Sequence, residues 1–358
     1  MPQTVAAKKK KSPLGAVLKF VIPMIISVGL CWLLFRDFDF GAMWQTITTE
    51  CRFGWIALGL GLAVCSHIFR ALRWQIQLRA LGVDPPLFFL ILSIFGTYSV
   101  NLVFPRLGEV WRTGYIAARQ HAPFTSVFGS MVADRFADTL TVLLLTLAAF
   151  ALASRSIMEY LGQNEETYRW LLSLLSSPWL WAAFVALVAF CWWFMKRKNG
   201  NSLVKKIQTA VVELWQGFIV VLKMPGRGRW LLWTIGIWGC FFMQMYVAFK
   251  GFGFTQDILD RYGVTAALVV FVLSSVSMGV PSNGGIGPWQ WAVIFGLGIY
   301  GLDAARAGAF ANLVLGCNTL LLIVLGLFTF ICIAIDRHSM SSSSQKKINQ
   351  TQTYKCQK

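Results

Sequence analysis

Apolar stretches of bilayer length recur along this chain and leave it few folds to choose from. They fall at about 17–35, 53–72, 127–153, 178–195, 230–249 and 306–335. Hydrocarbon about 30 Å thick is crossed by a helix of roughly 20 such residues. Two further apolar segments, 87–104 and 264–280, each run into a Gly/Pro-containing turn and a shorter return. No polar stretch between them is long enough to hold a folded soluble domain. Charged residues make up only 13% of the chain, against about 25% in soluble domains. The fold class is therefore all-α integral membrane.

The net charge of +17 would suit nucleic acid if it lay on one soluble face, so its placement decides its meaning. The Lys8–Lys11 run before the first apolar window puts the N-terminus in the cytoplasm. If the two interrupted segments dip in and return to the side they came from, 24 of the 32 Lys/Arg fall on the cytoplasmic side. The outer side holds Arg36, Arg52, Arg155, Arg169, Lys250, Arg261 and Arg306, and only Arg135 stays within the membrane. This is the positive-inside bias, with anionic headgroups as its partners; no nucleic acid is needed. A single crossing at 87–104 would put the basic stretch Lys196–Arg229 outside. The charge thus predicts about six transmembrane helices plus two re-entrant helical hairpins, with both termini in the cytoplasm of a cell whose inner membrane holds the chain.

The cysteines give no redox or metal signal. Cys31, Cys65, Cys191, Cys240, Cys317 and Cys332 lie in or beside apolar windows, where a free thiol packs as a small hydrophobe. No Cys/His ligand spacing appears, so no cofactor or metal is expected. No small-residue cleavage site follows the first apolar stretch, which is expected to stay as an anchor.

The expected organisation is a basic cytoplasmic tail at 1–13, a membrane domain at 14–337 and a polar, disordered tail at 338–358. Within 201–222, Leu203, Ile207, Val211, Leu214, Phe218 and Val221 recur every three or four residues. That spacing predicts an amphipathic helix on the cytoplasmic surface or against the ends of the spans.

The first interrupted segment turns at Asn101–Gly108, around Pro105, and returns through Glu109–Ala118. The second turns at Pro281–Gly287 and returns through Pro288–Tyr300. Pro lacks the backbone donor and Gly tolerates positive φ, so both turns break a helix. Broken backbone at membrane depth requires protein or a wet cavity around it. Span, span, hairpin, span then occurs twice, at about 14–153 and about 178–337, with opposite starting sides. That order predicts an inverted-topology repeat, whose discontinuous helices frame a midplane site.

Charge inside the membrane marks functional candidates. Asp134, Arg135 and Asp138 lie near the start of the 127–153 span, and the spacing of three lets Arg135 pair with Asp138. That pair either fixes helix packing or orients Arg135 toward an anionic headgroup. Arg106, Glu109 and Arg112 share about one face at the first turn. A guanidinium fork and a helix N-terminus both suit phosphate. Arg70 and Arg73, beside Trp74, suit either this site or interfacial anchoring. His67 suits a hydrogen-bonded interior position better than a proton relay. In the second turn, Asn283, Gly284 and Gly285, with Gln290 just beyond, would allow close backbone approach to a ligand. No catalytic set of residues appears, so a non-enzyme is expected.

These residues resemble the lysylphosphatidylglycerol synthase transmembrane family, also described as flippase-like. The likeness rests on Arg70-Ala71-Leu72-Arg73-Trp74, on Asn101 ahead of Pro105-Arg106-Leu107-Gly108-Glu109 and Arg112, on Arg135 and Asp138, and on the Pro281–Gly287 turn. It covers about residues 14–335. The resemblance implies a unit that moves a modified phospholipid between leaflets, without the soluble domain that makes the lipid in larger members. Many members look acidic just after the second turn, whereas this chain has Trp289-Gln290-Trp291.

The expectation is a flippase for an anionic or modified (aminoacylated or glycosylated) phospholipid or a polyprenyl-phosphate lipid. Its headgroup site would use Arg70, Arg73, Asn101, Arg106, Glu109, Arg112, Arg135, Asp138, Asn283, Gly284, Gly285 and Gln290. A membrane-embedded transferase acting on a lipid phosphate, or an assembly partner of a separately encoded lipid-modifying enzyme, are the alternatives. A homo-oligomer stays open.

Overall fold

The computed structural model describes residues 40–163 and 224–356, with isolated positions between 169 and 186. The tail at 1–13, the window at 17–35, nearly all of 178–195 and the amphipathic segment at 201–222 lie outside the described residues. Among the described residues ten helices follow in order: α1 Phe40–Glu50, α2 Phe53–Ala80, α3 Leu87–Val103, α4 Leu107–Arg119, α5 Phe124–Gln163, α6 Arg227–Phe249, α7 Gly253–Tyr262, α8 Val264–Ser277, α9 Pro288–Gly298 and α10 Ala304–Cys356. Among the described residues there is no strand; one antiparallel bridge joins Cys51 to Phe252.

Among the described residues four helices are long and apolar enough to cross a bilayer: α2, α6, the Phe124–Ser154 part of α5 and the Ala304–Asp336 part of α10. On α5 and α10 the outward faces carry Leu143, Leu144, Leu147 and Phe150, and Val324, Leu327, Phe328 and Ile331, all exposed. Apolar stripes of that extent are stable against lipid rather than water. This is a multi-pass membrane protein.

The two interrupted segments form helix pairs, α3 with α4 and α8 with α9. At 1.5 Å per residue, α3 and α8 reach about 25 and about 21 Å, and α4 and α9 less. None of the four spans about 30 Å of hydrocarbon by itself. The packing is reciprocal. Helix α3 lies against α10 and α8 against α5, while α4 flanks α5 and α9 flanks α10. Between the two sets, α2 and α6 make the most extensive helix pair.

Several expected boundaries move. The second window continues as helix to Ala80, because no breaker comes before Leu81-Gly82, where Gly82 takes φ +76°. Arg70, Arg73 and Trp74 therefore lie inside a helix and do not close it. The regions expected as outer loops hold α1 and α7. A bend of 113° separates α7 from α8, at Gly263 with φ +68°. The tail beyond 338, expected to be disordered, continues α10 as helix to Cys356. No Gly or Pro follows Gly326 to end it.

Candidate functional site

The candidate site grows from two helix faces. On α2, Arg70, Arg73, Trp74 and Gln77 recur every three or four residues, which puts them on one face. All four are buried, Arg70 at 3% and Arg73 at 0% exposure. Across from them α5 presents Asp134 and Asp138, one turn apart. Arg73 Nη2 lies 2.7 Å from Oδ1 of each carboxylate. Arg70 Nη1 donates to Asp138 Oδ2 at 2.5 Å and stands 3.7 Å from Asp134 Oδ2. A third helix joins through Arg73 Nη1, which donates to Thr234 Oγ1 of α6 at 3.4 Å. Snorkelling side chains keep their charged heads in water; these two do not, so the anchoring alternative is corrected.

Helix α4 brings the next cation. Arg112 is fully buried, its guanidinium carbon 4.5 Å from the Trp74 ring centroid. The indole is fixed by its Nε1, which donates to Ser130 Oγ at 3.0 Å. Arg112 Nη2 comes no closer than 3.5 Å to Asp134 Oδ2. None of its three guanidinium nitrogens has a hydrogen-bond partner among the described residues.

Arg135 points from α5 toward α4, 3.9 Å from Glu109 Oε1 and 3.7 Å from Asp138 Oδ2. The expected pair with Asp138 forms, but the closer partners of Asp138 are Arg70 and Arg73. Arg135 is the most open of the group, with its side chain 35% exposed.

The first turn is braced from within. Asn101 Oδ1 accepts the Gly108 N–H at 2.8 Å, and its Nδ2 donates to Glu109 Oε2 at 3.2 Å. Gly108 is required there, because a Cβ would run into the Thr97 carbonyl oxygen. Arg106 takes a left-handed conformation, φ +60°, which costs a non-glycine residue about 1 kcal/mol or more. Its exposed Nη2 donates to the Gly279 carbonyl at 2.7 Å. The face expected for Arg106, Glu109 and Arg112 therefore divides: Arg112 and Glu109 turn to the buried charges, while Arg106 reaches the second interrupted segment.

The second interrupted segment meets the first where Arg106 reaches Gly279, just ahead of the second turn, and where Leu102 approaches Gly284 within it. Gly284 and Gly285 have φ +63° and +87°, and a Cβ on Gly284 would collide with the Leu102 side chain. The Asn283 Oδ1 is buried without a partner among the described residues. Gln290 accepts the Gly287 N–H at 2.9 Å and donates to Asn312 Oδ1 of α10. It thus braces the turn, and among the described residues its hydrogen bonds go to Gly287 and Asn312 rather than to the arginines.

Sequence reasoning placed Asp134 in the span but left it out of the site, because a spacing of three singled out Asp138 for Arg135. The structure puts Asp134 at the centre, touching Arg70, Arg73 and Arg112. The signal available was the spacing of four between the two acids. His67 is buried with its ring 4.4 Å from that of Tyr98, and its Nδ1 lacks a partner among the described residues.

The family model described as the lysylphosphatidylglycerol synthase TM region matches residues 20–326. The chain belongs to this family. As a family member it has a membrane-lipid-related role, and the matched region includes every residue of the cluster. Over 88 residues the chain is also 35% identical to a protein named Glycosyltransferase AglD from Haloferax volcanii. That stretch is 24% of this chain and 14% of that protein, so the chain spans a small part of its relative's length.

Proposed function

We propose that this family member is a lipid flippase, and that its charged cluster receives a lipid phosphate during passage between leaflets. The observation that carries the reading is Arg112: a fully buried guanidinium, held on Trp74, whose donors lack hydrogen-bond partners among the described residues. A buried cation in that condition is costly, and an anion relieves the cost. Arg135 offers the entry, since its side chain is the most open of the cluster. Asp134 and Asp138 hold Arg70 and Arg73 in place, and Glu109 positions Arg135.

The membrane layout belongs to the same proposal. Six crossings, two re-entrant hairpins and an inverted repeat are supported by the lengths of α3, α4, α8 and α9 and by the exchange of packing partners. The charge distribution supports cytoplasmic termini, residence in the inner membrane and the division into short tails around a membrane domain at 14–337. In such a repeat the opposing turns frame a site between leaflets, and rocking of one unit against the other alternates its access.

The similarity to a protein named as a glycosyltransferase favours a second reading, a membrane-embedded transferase using a lipid phosphate. It predicts a covalently altered lipid after incubation with donor. Mass spectrometry of lipids co-purified with the full chain tests the first reading. Anionic phospholipid enriched over bulk membrane, and lost in Arg112→Gln, is expected. Co-purified lipid matching the bulk composition in both proteins would overturn it.

A further inference from the structure

The charge balance of the cluster carries a statement about which phosphate it accepts. Seven side chains form one connected network: Arg70, Arg73, Arg112 and Arg135 with Glu109, Asp134 and Asp138. Four guanidiniums thus face three carboxylates, leaving one positive charge in excess among the described residues. The excess lies on the Arg112–Arg135 side. Arg70 lies 2.5 Å from Asp138 and Arg73 lies 2.7 Å from both aspartates, whereas Arg112 comes no closer than 3.5 Å and Arg135 no closer than 3.7 Å to any carboxylate. The guanidinium nitrogens without hydrogen-bond partners are concentrated there too: Nε, Nη1 and Nη2 of Arg112, and Nε and Nη2 of Arg135.

Resting on the lipid-phosphate reading above, we infer that the site selects a phosphate bearing a single negative charge. A phosphodiester lipid fits; a phosphomonoester dianion or a diphosphate does not. A monoanion bound to Arg112 and Arg135 brings the buried network to neutrality. A dianion leaves one negative charge uncompensated in a low-dielectric site, where net charge is strongly disfavoured. The Glu109 carboxylate sharpens the selection, since it lies on the wall that the second charge would approach. Among the candidate substrates, the inference favours glycerophospholipids over polyprenyl monophosphates.

The test compares two diacyl lipids with the same chains, phosphatidylglycerol and phosphatidic acid, competing for the full-length protein in neutral maltoside micelles. Native mass spectrometry reads the bound ratio between about pH 5 and about pH 9, a range that brackets a phosphomonoester's second ionisation near 6. Phosphatidylglycerol stays a monoanion throughout and serves as the internal reference. The expected result is near-equal binding at low pH and about a tenfold loss of phosphatidic acid relative to phosphatidylglycerol at high pH. Glu109→Gln, which raises the excess to two positive charges, is expected to abolish that loss. A ratio that stays flat or favours phosphatidic acid as pH rises in the unaltered protein would overturn the inference. So would a loss that persists undiminished in Glu109→Gln. If neither lipid outcompetes uncharged diacylglycerol, the lipid-phosphate reading itself fails, a result distinct from a failure of charge selection.

Discussion

Replacing Asp134 by Asn keeps the shape of the side chain and removes the charge at the centre of the cluster. Asp134 is fully buried, 2.7 Å from Arg73, 3.5 Å from Arg112 and 3.7 Å from Arg70. The amide would leave Arg70 and Arg73 with Asp138 as their carboxylate partner and would take from Arg112 the carboxylate 3.5 Å away. Breaking one side of a buried ion pair costs about 3–5 kcal/mol. A chain of this size loses about 2 °C of Tm per kcal/mol, so a fall of roughly 6–10 °C is expected in detergent micelles. The compensating double variant, Asp134→Asn with Arg73→Gln, removes a cation together with the anion and should recover part of the fall. Thermal unfolding of the unaltered protein, both single variants and the double variant closes the cycle. A Tm for Asp134→Asn within about 1 °C of the unaltered protein would refute the view that this carboxylate holds the cluster together.

Further outcomes follow from the hairpin turns. Gly108→Ala places a methyl against the Thr97 carbonyl; it should lower Tm and transport together, while Gly114→Ala, where a Cβ meets nothing within 4 Å, should change neither. Trp74→Phe removes the hydrogen bond to Ser130 and the indole beneath Arg112. A stability loss of about 1 kcal/mol is expected in denaturant titration, with a larger proportional loss of lipid binding. Cysteines at Leu102 and Gly284, in a background lacking the native thiols, should form a disulfide under mild oxidation. If the two turns part during transport, that disulfide blocks it reversibly, with recovery on reduction. Arg106→Gln, which cannot reach Gly279 as Arg106 does, should leave Tm nearly unchanged and alter the transport rate.

The parts of this architecture that depend on local pattern were legible from the sequence. The apolar windows marked α2, α5, α6 and α10, and Pro105 and the glycines around Gly285 marked both broken segments. Helix boundaries were less legible, because they depend on the absence of breakers as much as on hydropathy: α2 runs on to Ala80 although its apolar window ends eight residues earlier. The site divided along the same line. Arg70, Arg73, Arg112, Arg135 and Asp138 were visible as charges near apolar segments. Their partners were not, because Asp134 meets Arg73 only after α2 and α5 pack, which no spacing within one helix reveals. Arg106 was visible as well, but its bond to the Gly279 carbonyl was not, because its left-handed backbone turns it there only once both hairpins are in place.

Receipt of a lipid phosphate by Arg112 and Arg135 is the step on which the proposed transport depends. Its most direct measurement is the rate at which fluorescent phosphatidylglycerol becomes accessible to an external quencher in proteoliposomes. Arg112→Gln and Arg135→Gln are compared there with the unaltered chain at matched reconstitution and confirmed helical content. Transport by the unaltered chain and a loss of about tenfold or more in each variant are expected. Equal rates in all three proteins, or no protein-dependent transport at all, would contradict the proposal.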